Sequence, residues 1–369
     1  MTMPVSERPT LEKITIEGIS PSYLCSEFES LRVIGVEEHV SFPELTERIP
    51  NAGIAKHARR MFRELLRHES MPFAAGRVSN VAEKRIADMD AAGVRLQVLS
   101  LAAAVNSMHL GPEAGLQHAR DVNDSLKEAV ATNPTRFVAL AELPVHAPDL
   151  AISELQRCVK ELGFVGAMVS GSIGGEGRFL DDPEFDELLS EFERLDVPLF
   201  LHPGIAPESV QKTYYDFVGK PKLSATFGGM GWGWHNEVAI HVIRLAVSGT
   251  LDKHPRLKLV VGHQGEMLPM MLQRLDAMFD KQIFGLRRSV GEALRSQVWI
   301  AISGFFSLPP TQVAIQTWGV DRVLFANDYP FIDSQKVPGF LRALGEILAP
   351  PDMRKVCQGN AELLFKIEA

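Results

Sequence analysis

Cysteine is scarce. The 369-residue chain has three, Cys25, Cys158 and Cys357, and no CxxC pair. That excludes a disulfide framework and fits a reducing compartment, so a cytoplasmic location is expected. No apolar run is long enough to span a membrane. The first thirty residues hold Pro4, Pro9, Glu7, Glu12 and Lys13 but no apolar signal core, so no secretory leader is expected. Positive charge is not in excess either. The net charge of −8 argues against a nucleic-acid partner. Internal repeats and low-complexity tracts are absent, as is the G-x-G-x-x-G turn of dinucleotide-binding folds after the first apolar run.

The chain does have 46% apolar and 23% charged residues, ordinary for a globular protein with a large core. Eight short runs rich in Val, Ile, Leu and Phe read as strands buried on both faces: Leu31–Glu38, Val94–Leu101, Arg136–Glu142, Phe164–Ser170, Pro198–His202, Leu257–His263, Val298–Ser303 and Val323–Asn327. Amphipathic segments lie between them. Gly93 and Gly163 stand where helix C-caps are expected. The alternation predicts an α/β fold, a (β/α)8 TIM barrel over residues 31–369 as a single domain. Residues 1–30 are expected to form an N-terminal arm packed on the barrel or on a partner subunit. Two connections are too long for plain crossovers. The first, at about 40–83, carries a predicted helix, Ile54–His68, with Arg59, Arg60, Arg63 and Arg67. The second, at about 203–256, carries Phe227-Gly-Gly-Met-Gly-Trp-Gly-Trp-His235. The tail is predicted to close on a helix over Asp352–Phe365.

Charge collects at the ends of these strands. The first ends Val33-Ile-Gly-Val-Glu-Glu-His-Val40, and alternation places Glu37 and His39 on one face and Glu38 on the other. The fifth ends in His202, the sixth in His263 with Glu266 about one turn on, and the eighth in Asp328. Any one of these alone would be an ordinary hydrogen-bonded residue or turn former. Together, on one rim of a barrel, they are the mixture of imidazole and carboxylate that a divalent cation selects.

Glu-x-His on the first strand, L-H-P-G on the fifth, G-H-x-G-E on the sixth and D-Y-P-F near the eighth resemble the amidohydrolase superfamily. The nearest branch is the metal-dependent aromatic-acid decarboxylases of γ-resorcylate, 2,3-dihydroxybenzoate and 5-carboxyvanillate. The resemblance runs from about Leu31 onward. It implies a distorted barrel, one divalent ion and assembly as dimers or tetramers. It also implies Glu37, His39, His202 and Asp328 as metal ligands, with His263 and Glu266 as a pair that either takes part in catalysis or supports the ligands from behind. The chain departs from the pattern at Asn327 and Ile332, where relatives carry a small or hydroxyl residue and an acidic one. Binuclear relatives have a lysine on the fourth strand; here Phe164–Ser170 has none, which favours one metal over two.

The function this implies is non-oxidative decarboxylation of a hydroxylated aromatic carboxylic acid, with CO2 released after ring-carbon protonation. Asp328 and the His263–Glu266 pair are the alternative proton carriers. Zinc and manganese fit the ligands equally, and magnesium is compatible. The wall around a flat aromatic acid is expected from His235, Phe305, Phe331 and Trp232, with Phe306 and Trp234 as further candidates. The rival within the fold is a metal hydrolase of a lactone, amide or ester, or a related hydratase. A degenerate scaffold barrel ranks last, because all four ligand positions are filled. The N-terminal arm and the Met-rich segment after the sixth strand point to a homo-oligomer.

Overall fold

Eight parallel strands form in the computed structural model, one for each apolar run. They are β1 (Val33–Val40), β2 (Val94–Leu101), β3 (Phe137–Ala139), β4 (Ala167–Ser170), β5 (Leu199–His202), β6 (Leu259–Val261), β7 (Val298–Ala301) and β8 (Val323–Leu324). The structure describes residues 31–368 apart from 53–55, 57, 61–62, 65–73, 75, 103–105 and 175–176. The expected N-terminal arm and most of the expected Ile54–His68 helix lie outside the described residues.

Strands β1 to β3 form one parallel sheet and β4 to β8 another. Two narrow seams join them into a ring. At the first, Ala141 bridges Ala167, with Val165 N–H donating to Ala139 O (3.0 Å) and Met168 N–H to Ala141 O (3.1 Å). At the second, Glu38 bridges Tyr329, with Val36 N–H donating to Phe325 O (3.2 Å) and His39 N–H to Tyr329 O (2.6 Å). The result is a distorted (β/α)8 barrel. Strands β6 and β8 are shorter than their apolar runs because the residues beyond them leave the ladder to build the rim.

The connecting helices include α1 (Glu83–Ala92), α2 (Pro112–Thr132), α3 (Pro148–Arg157), α4 (Asp186–Leu195), α5 (Gly233–Val247), α6 (Leu268–Met278) and α7 (Leu308–Trp318). Gly93 ends α1 at φ 75°, and Gly163 ends the π-type turn after α3 at φ 74°. Both are left-handed conformations that glycine adopts without penalty. The predicted tail helix is present but broken by a π-type turn, and α8 (Asn360–Phe365) is its last piece. Leu364 and Phe365 pack into the barrel core with Ile34, Val98, Phe200 and Val260. Full burial of a side chain such as Phe200 contributes roughly 1.5–3 kcal/mol.

A register shift between Gly35 and Glu38 interrupts the pairing of β1 with β2. Val36 belongs to the apolar core cluster with Ile34, yet Glu37 and His39, of opposite parity, reach the inner rim. The extra residue of a bulge makes both possible, because it re-aims every side chain after it.

Candidate active site

The bulge delivers Glu37 and His39 to the C-terminal mouth of the barrel, and both are fully buried. Ser303, just after β7, donates its hydroxyl to Glu37 Oε2. Glu37 Oε1 has no hydrogen-bond partner. His39 Nδ1 lies 3.1 Å from Ser100 Oγ at the end of β2. Its Nε2 lies 3.4 Å from Asp328 Oδ1 and is also without a hydrogen bond. On β5, His202 Nδ1 donates to Pro203 O at 2.8 Å, so its Nε2 carries the lone pair. That lone pair lies 3.5 Å from Glu37 Oε1.

His263 sits beyond β6 in a left-handed turn, at φ 48°. Its backbone N–H donates to Ser303 Oγ at 2.8 Å. Its Nδ1 is 2.9 Å from Glu266 Oε1 and 3.7 Å from Glu37 Oε1, and its Nε2 is 3.6 Å from Asp328 Oδ2. Two glycines make room. A Cβ on Gly262 would lie 2.4 Å from Glu37 Oε2, and one on Gly304 would lie 2.2 Å from His263 Cδ2.

Burial pushes the Glu37 carboxyl up from its ordinary value. Burial, with His39 and His263 nearby, holds His202 well below the usual imidazole range. Burial opposes a charge on Asp328, but the imidazoles of His263 and His39 beside it outweigh that and hold the carboxyl well below its usual range. Burial likewise opposes the His263 imidazolium, and Glu37 and Glu266 outweigh it, so His263 is raised well above its usual value. Glu266 is lowered: burial is overcome by His263 and His235.

One ligand atom from each of Glu37, His39 and His202 lies within 4.8 Å of the others, and the same holds for Glu37, His263 and Asp328. The orphaned Glu37 Oε1 and His39 Nε2 are what a cation between these groups would satisfy, because a buried polar atom without a partner is costly. A divalent ion also favours the carboxylate of Glu37 and the neutral form of His202. The four residues that the resemblance implies as ligands therefore converge, with His263 as a fifth neighbour, and the donor set fits a metal.

A cavity of about 440 Å³ lies beside this cluster, lined among others by Trp232, His235, His263, Glu266, Met270 and Phe305. Phe331 does not line it; its ring packs 5.6 Å from that of His39. Phe306 stacks on Phe340 at 4.7 Å, and Trp234 packs against the apolar cluster around Ala225. His235 Nδ1 is 2.8 Å from Glu266 Oε2, and its Nε2 is 2.9 Å from Met230 O. Both ring nitrogens face acceptors. Sequence reasoning missed Ser100 and Ser303. The available signal was the one that found the histidines: a polar residue closing an apolar run.

An amidohydrolase family model matches residues 39–367. The gamma-resorcylate decarboxylase of Rhizobium radiobacter is 35% identical over 344 residues, 91% of this chain and 98% of that protein. The structure of 5-carboxyvanillate decarboxylase from Sphingomonas paucimobilis superposes with a TM-score of 0.81 at 29% identity, covering 92% of this chain and all of that one (100%). A dihydroxybenzoic acid decarboxylase from Polaromonas sp. JS666, solved with bound manganese and the inhibitor 2-nitroresorcinol, superposes with a TM-score of 0.77 at 30% identity. It covers 91% of this chain and 98% of its own.

Proposed function

This chain belongs to the amidohydrolase family, and from that premise we propose that it is a metal-dependent carboxy-lyase that decarboxylates a hydroxylated benzoate. The observation that carries the reading is the pair of orphaned, buried atoms Glu37 Oε1 and His39 Nε2 beside His202, Asp328 and His263. Support comes from a chain one-third identical to gamma-resorcylate decarboxylases over nearly its whole length.

Glu37, His39, His202 and Asp328 would hold one divalent ion. Zinc and manganese both suit these donors, and the manganese of the Polaromonas relative favours the latter. When bound, the ion supplies positive charge that orients the substrate's carboxylate and ortho hydroxyl. The remaining work is proton transfer. Decarboxylation takes up one proton: a C–H bond forms at the ring carbon, the bond to the carboxylate breaks, its electron pair restores the aromatic ring, and CO2 leaves. Asp328 would protonate the ring carbon. Its Oδ2 is 3.6 Å from His263 Nε2, from which it can be reloaded once an anionic substrate raises its proton affinity. His263 Nδ1 faces Glu266 Oε1 at 2.9 Å, and Glu266 Oε2 faces His235 at 2.8 Å. The proton path therefore reaches the cavity.

We also place the protein in the cytoplasm as a homo-oligomer. Cys158 and Cys357 are free and buried, and Met270, Met271 and Met278 on α6 are exposed, an apolar face that a second copy would cover. Among the described residues no helix is long and apolar enough to cross a membrane.

The test is CO2 release from a panel of ortho-hydroxybenzoates, including 2,6-dihydroxybenzoate, by manganese-loaded protein with and without chelator. Chelator-sensitive release with about one ion per chain is expected. A metal-loaded protein that releases no CO2 from any of them would overturn decarboxylation in favour of hydrolysis.

A further inference from the structure

Glu38 stands between two candidate metal ligands and faces away from both. It is fully buried. Its Oε1 accepts the backbone N–H of Asn327 at 2.9 Å. Its Oε2 accepts the backbone N–H of Tyr329 at 3.2 Å and Gln97 Nε2 at 3.2 Å. One carboxylate thus grips the chain on both sides of Asp328, which sits at φ 63°. That left-handed conformation is uncommon for aspartate and persists only when its surroundings hold it.

The grip is itself anchored. Arg85, fully buried on α1, donates from Nη1 to Gln97 Oε1 at 3.1 Å and from Nη2 to the backbone oxygen of His39. Its guanidinium lies 4.4 Å above the Tyr329 ring, and the Tyr329 hydroxyl donates to Asp88 Oδ2 at 2.9 Å. Gly35 leaves the space the carboxylate occupies, since a Cβ there would lie 2.2 Å from Glu38 Oε1. All of this lies at the β8–β1 seam, where among the described residues a single bridge, Glu38 to Tyr329, pairs the two sides.

We propose that Glu38 is a positioning residue for the metal centre: by holding the backbone N–H groups that flank Asp328, it sets the place of that carboxylate opposite Glu37 and His39. The inference rests on the metal-dependent reading above. Outer partners of this kind orient ligands, and their loss typically weakens metal binding by about 10–100-fold.

The experiment is a manganese titration of metal-free protein, wild type against Glu38→Gln, alongside the thermal midpoint of each metal-free form. Gln has the size of Glu, but whichever way its amide points, an NH2 faces one of the two backbone N–H donors. A fall in manganese affinity of about 10–100-fold in folded E38Q is expected. A lowered midpoint with wild-type affinity would show a merely structural role and overturn the proposal. Should E38Q not fold, Gln97→Met removes the side-chain donor to Glu38 and, with it, the acceptor that Arg85 Nη1 uses. About tenfold weaker binding then supports the proposal, and unchanged binding overturns it. A wild-type protein that binds no manganese would overturn the metal reading, and this inference with it.

Discussion

Asp328→Asn lowers the rate of CO2 release at saturating manganese and substrate by about 10²–10⁴-fold, the usual contribution of a positioned general acid. Asparagine keeps the size and can still offer an oxygen to an ion, but it carries no transferable proton. On the proposed reading Asp328, rather than His263, gives up the proton to the ring. Its carboxylate lies 3.4 Å from His39 Nε2 and 3.6 Å from His263 Nε2, so it stands between the ligand cluster and the proton source. His263 is reached on its far side by Glu266. Working at saturating manganese separates lost ligation from lost proton delivery. A variant retaining activity within tenfold of wild type would move the proton donor to His263.

Manganese at about a thousand times its dissociation constant should raise the free energy of unfolding by about 4 kcal/mol, since only the folded chain assembles the site. Calorimetric scans with manganese and with chelator measure this gain directly. Glu37→Gln should remove most of it while leaving the metal-free protein at least as stable. The reason is local: burial pushes the Glu37 carboxyl up, and its Oε1 is a buried atom without a partner. A neutral amide in that place costs less to bury than a carboxylate, and its oxygen can still accept from Ser303. A metal-induced gain in E37Q equal to that of wild type would remove Glu37 from the ligand set.

Much of this centre was legible in the chain because strand ends announce themselves. His202, His263 and Asp328 each follow an apolar run, and the barrel geometry then brings them to one rim. Glu37 and His39 were legible for the same reason, and Glu38 does face the other way as alternation requires. What alternation could not show is the bulge at Val36 and Glu37. Strict period-two reading sets Ile34 and Val36 on the face opposite Glu37 and His39, whereas all four point inward. Nor could local sequence show what Glu38 does. Its partners Gln97, Asn327 and Tyr329 are distant in the chain and meet it only across β2 and β8. The aromatic residues were the least legible. Phe305 and Phe306 are neighbours of the same type, yet one lines the cavity and the other stacks on Phe340, a choice made by tertiary packing.

The narrow β8–β1 seam has a mechanical consequence. Glu37 and His39 ride on the three-stranded sheet, and His202 follows the five-stranded sheet together with His263 and Asp328. An ion held by Glu37, His39, His202 and Asp328 would cross-link two halves that share few hydrogen bonds of their own. Loading the site should therefore tighten the ring as a whole, and the amides of Val36 and His39, which donate across the seam, should exchange with solvent more slowly in the metal-bound protein. The ion that orients the substrate would also be the rivet that keeps the barrel shut.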